Sequence, residues 1–273
     1  MTPRPVKGLG GINEDAVEYY ADGAWYDAEY IHIRYDVPYY IGVAAETTGR
    51  ILELACGTGR LTLPMAHAGG DVLGVDISAG MIAEANKKRE RTVPGDQARL
   101  KFMVGDMRSL RLGEKFGAVV LAFNTLMHMI DDDDLAATLD TAREHLADGG
   151  LFHLDLHVPY PDAQNRDPSG RYDPMELVEQ RTKKRFLVSE NSHYDARTQI
   201  NTMFFYYQEV DQHGALLGQE RSRSLELRVI FPRELDRWLH LHGFEIAGDW
   251  DDFDRKKVFS GTGGRRVLMA KKR

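Results

Sequence analysis

An α/β fold built on a parallel sheet is predicted by two features of this sequence. The first is the stretch Arg50–Asp76, in which an apolar strand, a glycine turn, a helical pattern and a second apolar strand follow one another. The second is the continuation of this alternation to residue 160, because strands that alternate with helices are typical of β-α-β units. The chain has 273 residues, enough for one large domain with an insertion or for two small domains.

The turn after the first strand, Ala55-Cys56-Gly57-Thr58-Gly59, indicates a bound ligand. Gly57 and Gly59 have no Cβ, so the backbone can adopt positive φ and approach a ligand closely. Asp76 stands at the carboxyl end of the next strand, where a carboxylate can accept both hydroxyls of a ribose. These features predict a cofactor that carries a nucleoside.

The position of a third glycine distinguishes between two kinds of cofactor. The dinucleotide fingerprint places it three residues after the second glycine, but Thr62 occupies that position, which disfavours an NAD-dependent oxidoreductase. The segment Glu53–Gly59 (ELACGTG) instead resembles the first motif of class I S-adenosylmethionine (SAM) methyltransferases. That resemblance implies that the glycine turn lies along the amino acid end of SAM and that Asp76 holds the ribose.

Three further strands extend the parallel part of the predicted sheet. Leu100–Val104 is the third, and residues 105–107 follow it at the place where a loop of SAM enzymes receives the adenine. Phe116–Leu121 is apolar enough to be covered on both faces and forms the fourth strand. Leu151–Leu156 forms the fifth.

The pattern changes after residue 160. A polar segment, 164–173, predicts a loop, and period-two alternation then predicts three antiparallel strands within residues 185–231, separated by turn residues. A helix beginning at Pro232 and two closing strands complete the order found in class I methyltransferases. The predicted fold is a Rossmann-like, seven-stranded class I methyltransferase sheet with an inserted antiparallel β lid. We expect three parts: an N-terminal helical cap (1–48), a SAM-binding core (49–160 and 232–273) and the β insertion over the active site (161–231).

The lid narrows the resemblance to small-molecule N-methyltransferases, including glycine N-methyltransferase-like enzymes and amino-sugar N,N-dimethyltransferases. In the latter, a tyrosine-rich N-terminal segment and a histidine beyond the fourth strand face the substrate amine. Residues 25–30 are similar to the first feature and residues 123–128 to the second. The lid matches only in strand pattern, so the identity of the substrate does not follow.

Histidine is the natural group to orient or deprotonate a nucleophile, because its ordinary pKa lies near 6.5. His128 and His157 both follow central strands at the edge where α/β enzymes carry their chemistry. With Tyr26 they are the candidate catalytic residues. Candidate cofactor-binding residues are Glu53, Ala55, Gly57, Thr58, Gly59, Asp76, Ile77, Met81, Gly105, Asp106, Met107, Phe123, Tyr30 and Tyr39.

Composition limits the environment and the partners. The net charge of −7 argues against nucleic acid as the substrate, because phosphate binding needs a basic face. We expect no membrane span and no signal peptide, and the single cysteine, Cys56, is consistent with a reducing cytoplasm. A homodimer paired through the lid strands is left open.

Three functions remain in view. The first is SAM-dependent methylation of a small-molecule amine by in-line displacement, which requires no metal ion. The second is methylation of a hydroxyl or carboxylate by the same class of enzyme. The third is a non-catalytic nucleotide-binding module, which the presence of Glu53, Gly57, Gly59 and Asp76 argues against.

Overall fold

The computed structural model describes residues 19–30, 32–159, 166–167 and 169–273. The strands are β1 (Ile51–Leu54), β2 (Val72–Asp76), β3 (Leu100–Val104), β4 (Phe116–Leu121), β5 (Leu146–His157), β6 (Tyr172–Val178), β7 (Arg185–Asp195), β8 (Ile200–Val210), β9 (Leu216–Arg228), β10 (Phe244–Asp251) and β11 (Arg265–Lys272). The helices are α1 (Gly23–Tyr30), α2 (Val37–Glu46), α3 (Thr62–His67), α4 (Ala79–Arg89), α5 (Pro94–Arg99), α6 (Asp132–His145) and α7 (Pro232–Leu241), and a 3₁₀ turn spans Thr125–His128.

Seven strands form the central sheet in the order β10-β11-β5-β4-β1-β2-β3. Six of them are parallel, and β11 runs antiparallel to both of its neighbours. The strand order reverses at β1, which pairs with β2 on one side and with β4 on the other. Ligands of open α/β sheets bind beyond the carboxyl ends of the strands at such a reversal. The predicted sheet is confirmed, and its topology places the site beside the turn after β1.

A second sheet, in the order β6-β7-β8-β9, is antiparallel throughout. The predicted three-stranded lid was one strand short, because β6 begins inside the segment that was predicted as a loop. Of the seven residues of β6 only Leu177 is buried, and Pro174 lies within the strand. An edge strand that buries one side chain gives almost no period-two signal, which explains the error. Residues 160–165 and the first 18 residues of the predicted cap (1–48) lie outside the described residues.

Each face of the central sheet carries its own apolar layer. Leu52 and Leu54 of β1 pack into the layer that contains α6, whereas Ile51 packs with Tyr40 of α2 on the opposite face. Every residue of β1 is buried, as expected for a parallel strand covered on both faces. Among the described residues no helix is long and apolar enough to cross a bilayer.

Candidate active site

A cavity of about 410 Å³ opens at the carboxyl edge of the central sheet, where the topology predicts a site. The turn after β1 and the ends of β2, β3 and β4 form its walls. Most of the predicted site residues line it: Tyr26, Glu53, Ala55, Gly57, Asp76, Ile77, Met81, Gly105, Asp106, Met107, Phe123 and His128.

Asp76 connects the end of β2 to the glycine turn. The amide of Gly57 donates a hydrogen bond to Asp76 Oδ2 (2.8 Å), and the amide of Ser78 donates one to Oδ1 (2.8 Å). Burial raises the pKa of Asp76, and these two hydrogen bonds oppose that shift. The carboxylate is thereby held in one orientation, with acceptor capacity left for the hydroxyls of a ribose.

The two glycines of the turn serve different purposes. Both have left-handed backbones, with φ of 55° at Gly57 and 82° at Gly59. Gly57 lines the cavity, where its bare backbone faces Tyr26. A Cβ on Gly59 would instead lie 3.0 Å from the ring of Phe102, and Gly59 does not line this cavity. Gly59 therefore permits packing against β3, and its predicted contact with the cofactor stays a prediction.

Thr58 supports the turn from behind and does not line the cavity. It is fully buried, its hydroxyl donates to Asp27 Oδ1 (2.6 Å), and Lys88 Nζ donates to Thr58 Oγ1 (2.8 Å). Lys88 also forms an ion pair with Asp27 (2.5 Å). The side chain thus ties the turn to α1 and α4, a task that the turn sequence does not reveal.

Glu53 is a buried acid in the wall of the cavity. Thr62 Oγ1 donates to Glu53 Oε2 (2.5 Å), and burial raises the pKa of Glu53 to about 7. A cationic ligand beside this group would favour its ionised form. The Glu53 side chain is therefore a suitable neighbour for a ligand that carries both an ammonium and a sulfonium.

The loop after β3 contains Asp106 and Met107, the residues predicted to meet an adenine. Arg108 forms an ion pair with Asp106 (2.7 Å) and a second with Asp134 at the start of α6 (2.7 Å). Sequence reasoning missed Arg108, although it also lines the cavity. It fixes the Asp106 carboxylate and joins the loop to α6.

His128 and Tyr20 form a polar pair in the cavity wall. Tyr20 Oη lies 3.4 Å from His128 Nε2, and the two rings meet edge to face. Burial lowers the pKa of His128 to about 4, so the imidazole is neutral at physiological pH. Burial also keeps the phenols of Tyr20 and Tyr26 protonated, raising the pKa of Tyr26 to about 12. Tyr20 was missed, although it belongs to the tyrosine-rich start of the chain.

Arg60 is a second missed residue of the cavity wall. Its guanidinium makes two hydrogen bonds to the buried carboxylate of Asp36 (2.7 and 2.6 Å) and lies 4.6 Å from the ring centroid of Phe123. Its position directly after the glycine turn was the only available sequence signal.

Three other predicted residues lie elsewhere. Tyr30 packs behind Tyr26, with ring centroids 4.7 Å apart, and does not reach the cavity. Tyr39 is buried in the core, where its hydroxyl lies 3.1 Å from His153 Nδ1. His157 is exposed at the end of β5, because the last residue of that strand passes beyond the cavity. The structure therefore places Tyr30, Tyr39 and His157 outside the lining of this cavity, and their predicted cofactor and catalytic roles stay predictions.

The residues of the cavity fit SAM. A fixed carboxylate ends β2, a bare backbone follows β1, and the acid Glu53 and the ring of Tyr26 are available to a cationic ligand. Aromatic faces attract such cations. No cluster of three or more potential metal ligands is found in the part of the chain that the structure describes.

Comparisons with known proteins agree with this site. Residues 51–150 match the family model described as a methyltransferase domain. The chain is 30% identical over 141 residues to the putative methyltransferase YqeM of Bacillus subtilis, which is 51% of this chain and 55% of that protein. It is 33% identical over 105 residues to the dTDP-3-amino-3,4,6-trideoxy-alpha-D-glucopyranose N,N-dimethyltransferase of Streptomyces venezuelae, 38% of this chain and 41% of that protein. The chain thus matches about half, or less, of the length of these relatives.

The structure of the CcbJ methyltransferase from Streptomyces caelestis has the same fold along nearly the whole chain. The TM-score is 0.73 at 25% identity, and the alignment covers 93% of this chain and 97% of that one. In its fold, its glycine turn and the segment 51–150 that matches a methyltransferase domain, the chain is similar to class I SAM-dependent methyltransferases.

Proposed function

We propose that this protein transfers a methyl group from SAM to an amine nitrogen of a small molecule. The observation that carries the proposal is the half-buried pair of His128 and Tyr20, which shares one cavity with Asp76 and the glycine turn. A polar pair at the wall of a SAM site is a place where a nucleophile can be held.

The low basicity of His128 favours an amine over an alcohol. An imidazole with a pKa of about 4 is a poor base for removing the proton of a hydroxyl. A neutral amine already carries a lone pair and needs only orientation. His128 Nε2 can accept an N–H from such an amine, which leaves the lone pair free to face the methyl group.

The reaction is an in-line displacement at carbon. When bound, SAM would supply a methyl group on a sulfonium sulfur; the nitrogen–carbon bond would form as the sulfur–carbon bond breaks, and the product amine would release a proton to solvent. Asp76 and Glu53 would hold the cofactor, and Tyr26 would offer its ring to the cation. His128 and Tyr20 would hold the acceptor in the cavity. Positioning of this kind contributes about 7–11 kcal/mol in favourable intramolecular cases.

We propose that the chain has three parts: a cap (1–48), a core (49–160 and 232–273) and an insertion (161–231). The antiparallel sheet of the insertion would enclose the acceptor. Tyr207 of β8 donates a hydrogen bond to Glu29 of α1 (2.6 Å), and Phe205 packs on Tyr19. The sheet is thus joined to the segment that carries Tyr20. Two relatives are named as N,N-dimethyltransferases of dTDP-linked amino sugars, which supports a small amine as the acceptor. The net charge of −7 supports a partner other than nucleic acid.

A product assay tests this proposal. The purified full chain is incubated with methyl-labelled SAM and with matched pairs of small molecules, a sugar amine and the corresponding sugar alcohol among them. We expect label on the amine only, at a rate that rises through the pKa of that amine. Label on hydroxyls or carboxylates would replace the proposal with O-methylation, and SAM binding without transfer to any acceptor would indicate a binding module.

A further inference from the structure

The corner between β4 and the 3₁₀ turn has an uncommon backbone. Phe123 and Asn124 are consecutive residues other than glycine with left-handed conformations, φ of 59° and 62°. Such conformations carry strain and persist only where the surroundings hold them. The corner lies between the end of β4 and the turn whose last residue is His128.

A buried ion pair on the neighbouring strands holds this corner. Asp155 of β5 is almost inaccessible, and its Oδ1 accepts a hydrogen bond from the amide of Phe123 (2.9 Å). The hydroxyl of Tyr40 donates to the same oxygen (2.6 Å), and Arg265 of β11 donates to Oδ2 (2.5 Å). The Asp155 carboxylate therefore fixes the first strained residue.

The second strained residue is held from the same place. Arg265 Nη1 donates to the side-chain oxygen of Asn124 (2.9 Å), and the amide of His157 donates to it as well (2.8 Å). The amide of Asn124 donates to the carbonyl of Asp155 (3.3 Å). Every one of these partners belongs to β5 or β11.

The corner determines where two cavity residues lie. Phe123, the first residue of the corner, faces Arg60. The carbonyl of Asn124 accepts a hydrogen bond from the amide of Met127 (2.9 Å), which starts the turn that ends with His128 against Tyr20. A different backbone conformation at residues 123 and 124 would move both side chains.

We propose that Asp155 and Arg265 are positioning residues, which place His128 for the reaction by holding Phe123 and Asn124 in the left-handed conformation. This inference rests on the proposed function of His128. Neither Asp155 nor Arg265 touches the cavity, so both act through the corner.

Two substitutions of Asn124 separate the effect of its left-handed backbone from the effect of its side-chain contact with Arg265. Asn124→Ala and Asn124→Gly both delete the side-chain oxygen that Arg265 binds, but only alanine opposes a left-handed backbone. We expect turnover per SAM-binding site to fall about tenfold or more in Asn124→Ala, because small displacements of reacting groups are costly, and about threefold or less in Asn124→Gly. Equal losses in the two variants would overturn the proposal.

Asp155→Asn tests the ion pair, and Asp249→Asn is its matched control. Asp249 pairs with Arg266, the buried neighbour of Arg265 on the same strand, and lies away from the corner. Asp155→Asn loses a buried carboxylate, whereas Asp249→Asn loses a partly buried one and leaves Arg266 paired with Asp236, so both are expected to lose stability and Asp155→Asn more of it. Only Asp155→Asn should lower turnover per SAM-binding site, and similar turnover in the two variants would contradict the proposal.

A readout without turnover separates this proposal from the proposed function. The imidazole signals of His128 are identified by their absence from the NMR spectrum of His128→Asn. They should shift in Asn124→Ala and Asp155→Asn and stay in place in Asp249→Asn. Unchanged signals in the first two variants would disprove the positioning role, whereas wild-type protein that fails to bind SAM would disprove the proposed function alone.

Discussion

His128 is an imidazole that burial has made a weak base and a persistent hydrogen-bond acceptor. Because its pKa lies near 4, it stays neutral when the pH falls from 8 to 5. Under the proposed methylation of an amine, the proton that limits the reaction would therefore be that of the acceptor amine. This separates orientation by His128 from general-base catalysis, in which the rate would follow the histidine itself.

Replacement of His128 by asparagine should lower kcat/KM by about 10–100-fold, because asparagine cannot place an acceptor at the position of Nε2. The pH profile of wild-type kcat/KM should show the pKa of the amine and no inflection between 5.5 and about 7 from a histidine. Steady-state kinetics across that range measures both quantities. His67→Asn, at a surface histidine paired with Asp96, is the control and should match the wild type. An unchanged profile and rate in His128→Asn would exclude the role.

Gly57 and Asp76 lie at the cavity, where the local sequence pattern predicts them. Gly57 and Asp76 are separated by one β-α-β unit, so pattern alone brings them to the same cavity. The local pattern could not assign Tyr20 and Arg108 to the cavity. Tyr20 reaches it through packing between segments that are distant in sequence, and Arg108 through the length of its side chain. Lys88 belongs to a basic cluster that looks solvated in sequence, yet its ammonium binds the carbonyl and hydroxyl of Thr58.

At the scale of elements, α1 and the residues before it cover the cavity through a close backbone contact. A Cβ on Gly80 of α4 would lie only 2.3 Å from the carbonyl oxygen of Ala21. Ala21 follows Tyr20, whose own carbonyl accepts a hydrogen bond from Ser78 Oγ (3.1 Å). The glycine at position 80 is therefore required for the cover to reach α4.

Gly80→Ala should displace residues 20–22 and lower both SAM affinity and kcat/KM by about tenfold, a loss of about 1.4 kcal/mol. The matched control is Gly42→Ala in α2, where a Cβ would meet nothing within 4 Å. That substitution should leave activity unchanged and stabilise the helix by up to about 1 kcal/mol. Calorimetric titration, kinetics and urea unfolding of both variants provide the measurements. Equal behaviour of the two variants would show that the contact is unimportant.

The elements of the parallel sheet were predictable and the edge of the lid was not. Strands such as β1 and β4 are buried on both faces and read as continuous apolar runs. β6 is held in the sheet by antiparallel pairing with β7, and most of its side chains are exposed. Its formation depends on backbone hydrogen bonds to a neighbour, for which a single strand sequence carries little information.

At the scale of the whole molecule, the buried acid of the cavity makes stability depend on pH. The pKa of Glu53 is about 7 in the folded protein and about 4.3 in an unfolded chain. Between these values the folded state binds more protons than the unfolded state, so this group lowers the free energy of unfolding as the pH rises. The full effect is up to about 4 kcal/mol above pH 7, at about 1.4 kcal/mol per pKa unit.

Glu53→Gln should therefore gain stability relative to the wild type as the pH is raised from 4.5 to about 7.5. Urea unfolding of both proteins at several pH values gives the difference between their free energies of unfolding. Glu114→Gln, at an exposed carboxylate, is the control. The difference between its free energy of unfolding and that of the wild type should not change with pH. If the difference between the free energies of unfolding of Glu53→Gln and the wild type also stays constant with pH, the pKa of Glu53 is not raised in the folded protein.

Titration calorimetry with SAM tests the central claim most directly. The wild-type chain should bind one equivalent saturably, and Asp76→Ala should weaken binding by about 1.5–3 kcal/mol, the usual contribution of hydrogen bonds to a charged group. Asp71→Ala, at an exposed acid before β2, should bind as the wild type does. Absence of saturable binding by the wild type, or equal affinity in Asp76→Ala, would contradict the account.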